Sequence, residues 1–153
     1  MLFRSLVSGG GVTGVVEEIG MFVTLIQSPD NVRHFVPNGK FFGDTIVNYS
    51  STAYRRVDLE AQLDHSADVE RAIELLRDAI RSVPNQQPDR PADVELLCFT
   101  ERGPRLAVRP YTHTDHYWQV LFDSNRVIAR TLTSHGFPTP RMPIAMASVT
   151  DAR

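Results

Sequence analysis

The chain reads as an α+β protein: a small all-β module, then a strand–helix–strand–strand–helix module, then an extended C-terminal strand. Three observations predict this. Residues 1–53 are short apolar runs broken by glycine, proline and asparagine, the chemistry of strands and turns. Residues 54–137 alternate between period-two and helical apolar spacing. Residues 138–153 open on closely spaced prolines, which oppose a helix and suit an extended tail.

Taken in order, Phe3 to Val7 reads as a short strand, and Gly9-Gly10-Gly11 forces a turn. Val12 to Ile19 and Met21 to Gln27 read as strands parted by Gly20. Ser28-Pro29-Asp30-Asn31 has type I turn chemistry, with serine first and proline second. Val32 to Val36 follows, and Pro37 ends it. Asn38-Gly39 tolerates positive φ, so Pro37, Asn38 and Gly39 predict a tight turn, with apolar strand residues resuming at Phe41, Phe42, Ile46 and Val47. Several short strands with such turns suggest a small barrel or sandwich.

The second module starts with Val57, Leu59, Ala61 and Leu63 alternating with Asp58, Glu60, Gln62 and Asp64, a half-exposed strand with a solvated carboxylate face. Ser66 is placed to cap a helix whose stripe is Val69, Ala72, Ile73, Leu76, Ile80 and Val83, ended by Pro84. Burying its larger members contributes about 1.5–3 kcal/mol each, so this helix must lie on a sheet. A proline-rich loop to Pro91 leads to strands at Asp93–Thr100 and Arg105–Tyr111. A second helix is predicted from Thr114 to His135, its apolar face built from Tyr117, Trp118, Leu121, Phe122, Ile128, Ala129 and Leu132, with Gly136 at the C′ position. This order is half of a ferredoxin-like plan.

Bulk properties exclude several function classes. At 153 residues, 42% apolar and 22% charged, the sequence suits ordinary globular domains. A net charge of −2 argues against a basic nucleic-acid surface or a polybasic anchor. No window approaches the ~20 consecutive apolar residues of a membrane-spanning helix. The single cysteine, Cys98, rules out an intrachain disulfide and a thiolate zinc cluster, and its apolar neighbours predict a small buried hydrophobe.

Chemical motifs are weak. Gly9 to Gly14 satisfies G-x-G-x-x-G, but a valine-rich strand follows where a dinucleotide site needs a helix N-terminus. His113-x-x-His116 with Asp115 offers two imidazoles and a carboxylate, yet at a loop-to-helix junction with no further ligand pair. No catalytic residues, cofactor-binding residues or metal ligands are assigned, and no enzymatic activity is expected.

The wording of several segments is more specific than their periodicity. Val36-Pro37-Asn38-Gly39 with Ile46-Val47-Asn48-Tyr49-Ser50 closely resembles the β-domain signature of the MscS-type mechanosensitive channels. Gly10 to Gly20, Pro29-Asp30-Asn31, Arg55-Arg56-Val57-Asp58, Val108 to Tyr111 and Tyr117-Trp118 extend the resemblance over nearly the whole chain. It implies an Sm-like β domain over residues 1–53, a ferredoxin-like α/β domain over 54–137 and a tail strand over 138–153. It further implies the cytosolic vestibule of a channel that passes ions and small solutes during osmotic downshock, with no cofactor and no nucleic-acid partner. The chain would then be a soluble part at the cytoplasmic face of a bacterial inner membrane, attached only through transmembrane helices that it lacks. Its partner would be itself, as a homoheptamer, with Trp118 and the tail residues Ile144 and Val149 serving assembly. Asn125 stands where the family more often has leucine, and the turn after Glu101 is shorter than usual. Two alternatives from other classes are an RNA-binding β-barrel module and a ferredoxin-like enzyme.

Overall fold

The computed structural model describes residues 5–142. It divides into two compact units between residues 55 and 56.

The first unit contains β1 (Leu6–Gly9), β2 (Val12–Ile19), β3 (Val23–Gln27), β4 (Arg33–Pro37), a short α1 (Asn38–Phe42) and β5 (Val47–Asn48). They form one antiparallel sheet in the order β4-β3-β2-β1-β5. Gly10 and Gly11, at φ 59° and 84°, make the two-residue β1–β2 turn, a conformation glycine enters without the strain a Cβ brings. The β3–β4 turn closes as its residues predict. The Asn31 N–H donates to the Ser28 carbonyl at 2.9 Å, and Asn31 takes a left-handed φ of 67°. A bulge between Val16 and Glu18 breaks the β2–β3 register and turns the strand. Val7, Val16, Ile26, Val36 and Phe41 fill the core.

One prediction is corrected here. Asn38-Gly39 does not make a positive-φ turn into a strand; it opens α1 directly after β4, and Gly39 is absent from the left-handed region. The helical turn lets Phe41 drop into the core, against Gly9, while Phe42, Ile46 and Val47 stay exposed. A strand over those residues would have alternated the faces of Phe41 and Phe42 without closing this end of the core.

The second unit opens with β6 (Arg55–Arg56) and continues through β7 (Leu59–Gln62), α2 (Val69–Ile80), β8 (Asp93–Thr100), β9 (Gly103–Arg109) and β10 (Tyr111–Thr112). A 3-10 turn at Thr114–His116 leads into α3 (Tyr117–Ser134). The antiparallel sheet has the order β7-β9-β8, with β10 and β6 as a separate ribbon. Leu59, Ala61, Val94, Leu106 and Val108 point from the sheet into one cluster with Ala72, Ile73, Leu76 and Ile80 of α2 and Val120 and Ile128 of α3. The helices pack on each other, α2 over β8 and β9 and α3 over β7.

Helix ends differ in detail from expectation. Asp68, not Ser66, caps α2, its carboxylate accepting the Arg71 N–H at 3.1 Å. At the far end of α3, Gly136 (φ 74°) follows the cap. Phe137 donates to the Leu132 carbonyl at 3.0 Å and Gly136 to that of Thr133 at 3.2 Å, a Schellman closure. The predicted tail strand from Ile144 to Val149 lies outside the described residues.

Candidate functional site

The signature residues Pro37, Asn38 and Gly39 sit at the β4–α1 junction, and Asn38 does the fastening. Its side-chain amide donates to the carbonyls of Gly20 (2.9 Å) and Met21 (3.2 Å), and its Oδ1 accepts the hydroxyl of fully buried Thr24 at 2.8 Å. Its backbone N–H donates to the Phe22 carbonyl at 2.8 Å. One residue thus ties the start of α1 to the β2–β3 turn. Gly39 has no heavy atom within 4 Å of where a Cβ would stand.

The weak chemical motifs resolve into structure. The G-x-G-x-x-G stretch is the β1–β2 hairpin. The His113 imidazole accepts the Asp115 N–H at 3.2 Å and starts the 3-10 turn. Among the described residues no group of three His, Cys, Asp or Glu side chains is placed to hold a metal. A hollow of about 480 Å³ is lined by Glu60, Gln62, Arg102 and Arg105, with Met142 at its rim. Three of its groups are already engaged: Arg105 pairs with Glu60 at 3.1 Å, and the Gln62 amide donates to the carbonyls of Leu63, Gly103 and Pro104.

Asp64 departs from the solvated face predicted for it and is buried. Its carboxylate accepts the Ser66 hydroxyl at 2.7 Å, the Ser66 N–H at 3.1 Å and the Arg141 N–H at 3.3 Å. The Ser66 hydrogen bonds, outweighing burial, hold this carboxyl below the usual carboxylate range. The residue therefore staples the segment after α3 to the loop after β7. Ser66 is a local partner, but Arg141 is brought close only by the fold, so strand alternation alone could not reveal that contact.

The predicted face of α3 is met in part: Ile128 is in the core and Tyr117, Leu121 and Leu132 pack against it, whereas Trp118 and Phe122 do not. Its buried stripe is Val120, Ser124, Ile128 and Thr131. Trp118 and Phe122 are 59% and 55% exposed, stacked on each other with ring centroids 6.1 Å apart, and Tyr117 meets Trp118 edge-on at 5.4 Å. Asn125 continues that outer stripe and folds its amide back to the Leu121 carbonyl at 3.1 Å. A helix with two apolar faces is ambiguous in sequence, and Ser124 and Thr131 disguised the one that faces the core.

Cys98 is exposed, contrary to the buried position predicted. It lies on β8, an edge strand of the sheet, where a bulge between Leu96 and Cys98 shifts the register. Its neighbours Leu97 and Phe99 are 41% and 77% exposed.

These features define a class: two structural units whose outer surfaces carry unpartnered apolar groups. The family comparison gives the class its name. Residues 5–51 match the model described as mechanosensitive ion channel, beta-domain, and residues 57–138 the one described as mechanosensitive ion channel MscS, C-terminal. The chain belongs to the MscS family of mechanosensitive ion channels. It is 29% identical over 160 residues to a small-conductance mechanosensitive channel of Edwardsiella ictaluri, covering 100% of this chain and 56% of that protein. An uncharacterized MscS family protein of Archaeoglobus fulgidus is 25% identical, covering 85% of this chain and 46% of its own. The chain thus spans about half the length of these relatives. The fold is similar to closed-state Helicobacter pylori MscS, with TM-score 0.85 and 19% identity over 95% of this chain and 59% of that one. It is also similar to Arabidopsis thaliana MSL1, with TM-score 0.69 and 17% identity over 91% and 53%. The α+β class stands, and neither the RNA-binding nor the enzyme alternative is favoured.

Proposed function

We propose that this chain is the cytosolic vestibule region of an MscS-type channel, joined in the full channel to membrane-spanning helices at the cytoplasmic face of the membrane. The observation that carries the reading is the successive match of both units to the β domain and C-terminal domain of the family. Among the described residues no helix is long and apolar enough to cross a membrane, so this region walls the path rather than forming the pore. Ions and small solutes pass it without a specific binding site when bilayer tension opens the gate during osmotic downshock. No chemical step and no cofactor enter this reading.

The same reading makes the protein a homo-oligomer, with a heptamer as the expected ring. The exposed Trp118 and the tail from Arg141 onward are the elements assigned to assembly. The test is a chimera in which this chain replaces the corresponding region of a working channel of the family, expressed in bacteria without mechanosensitive channels of their own. Rescue of survival on downshock and tension-gated currents in membrane patches are expected. A chimera that reaches the membrane and passes no current overturns the proposal.

A further inference from the structure

The entrance to α3 is held by a titratable side chain. Helix α3 has no side-chain cap at His116 and no acidic residue in its first turn. The cap stands one turn earlier, where the His113 Nδ1 accepts the Asp115 N–H at 3.2 Å. A backbone N–H can only donate, so this bond requires a bare lone pair on Nδ1. The same Nδ1 lies 3.4 Å from Oδ2 of the Asp115 carboxylate, an acceptor that only a protonated Nδ1 can serve. The two contacts are alternatives, and one proton chooses between them.

We infer that this junction is a proton-operated switch: His113 caps the 3-10 turn while its Nδ1 is bare, and on taking a proton from solvent it turns to the Asp115 carboxylate and gives up the cap. The energetics of the charged state favour a looser helix start. The Asp115 N–H loses its acceptor, and an imidazolium at this end opposes the α3 dipole. The His116 ring, its centroid 6.5 Å from that of His113, adds like-charge repulsion once both carry protons. The ion pair that replaces the cap joins side chains 54% and 80% exposed, so it returns little. Among the described residues Asp115 is the one ionic partner of His113. Neighbouring elements direct their polar groups elsewhere. In the loop between α2 and β8, Asn85 donates to Gln119 at 3.0 Å and Arg90 faces the Tyr111 ring at 5.7 Å. In β6, Arg55 lies over the Tyr49 ring at 4.4 Å and Arg56 pairs with Asp58 at 2.8 Å. Tyr117 and Trp118 come next in the chain, so the head of the outer aromatic stripe is firm when imidazoles are neutral and looser in mild acid.

Nitrogen NMR of the unaltered chain reads both ends of the switch. At about pH 8 the His113 Nδ1 is expected to show the resonance of an unprotonated ring nitrogen. As the pH is lowered to about 5, the Asp115 amide proton is expected to move upfield with the same midpoint as that nitrogen. Its protection from exchange is expected to fall about fivefold. His113→Asn supplies a cap that takes no proton and should hold the Asp115 amide fixed over this range, whereas His116→Asn should leave the response in place. An Nδ1 that already carries its proton at about pH 8 overturns the inference. So does an Asp115 amide that does not move, one whose midpoint differs from that of His113, or one that still titrates in His113→Asn.

Discussion

Asn38 and Gly39 are adjacent in the signature, yet their physical roles diverge. Asn38 supplies partners for the buried Thr24 hydroxyl and for the Gly20 and Met21 carbonyls. Asn38→Ala strands these groups and is expected to destabilise the first unit by about 1–3 kcal/mol. Gly39 sits in the helix with open space around it and no left-handed φ, so Gly39→Ala should leave stability unchanged or raise it by up to about 1 kcal/mol. Urea unfolding of the two variants checks both signs. Gly103 is the contrasting case: at φ 119°, a Cβ there would stand 2.5 Å from the Leu63 carbonyl oxygen, so both space and conformation demand glycine. Asp64 adds a pH signature. Its carboxyl is held low chiefly by the Ser66 hydroxyl, so its contribution to folding is present above the ordinary carboxylate range and lost as pH falls through the lower folded value. Thermal unfolding across the acid range should show that loss in the unaltered chain, and Asp64→Asn should flatten that limb.

At the scale of elements, α3 separates two kinds of apolar residue that look alike in the sequence. Ile128 is buried against the α2 and sheet core, so Ile128→Ala should cost about 2–5 kcal/mol. Phe122→Ala removes an exposed ring and should leave the unfolding midpoint of the dilute chain almost unmoved. Ser124 sharpens the contrast. Its hydroxyl is fully buried with no hydrogen-bond partner among the described residues, so Ser124→Ala is expected to be neutral or stabilising. Chemical denaturation of this series distinguishes the inward from the outward stripe. The same division explains β8, where an edge position and a bulge expose residues whose composition reads as core.

At the scale of the whole molecule, the second unit leads its chain out past Asp64, whose carboxylate holds the Arg141 N–H, to Met142 beside Glu60 and Gln62. The tail that follows is assigned to assembly, so deletion from Arg141 onward should lower the average mass found by light scattering at a fixed concentration. The second unit itself should remain folded in that variant, because its core is closed by Phe137 and earlier residues. A tail-deleted chain with undiminished mass would remove the tail from the assembly.

Much of the architecture was legible beforehand because it depends on local chemistry. The Gly10-Gly11 and Ser28–Asn31 turns, the α2 stripe and the Gly136 closure follow from φ preference, missing donors and apolar period, which act over a few residues. The family was legible for a different reason, since specific wording around Pro37-Asn38-Gly39 survives where periodicity is mute. Tertiary structure alone decided what depends on distant partners. Asn38 became a hydrogen-bond hub because Gly20 to Thr24 folds beside it. Asp64 gained a partner beyond its own turn because Arg141, 77 positions away, returns to it. Trp118 and Cys98 face outward because the core had already closed on Val120, Ile128 and Leu106, and sequence period tells how many faces are apolar but not which of them the rest of the chain will cover.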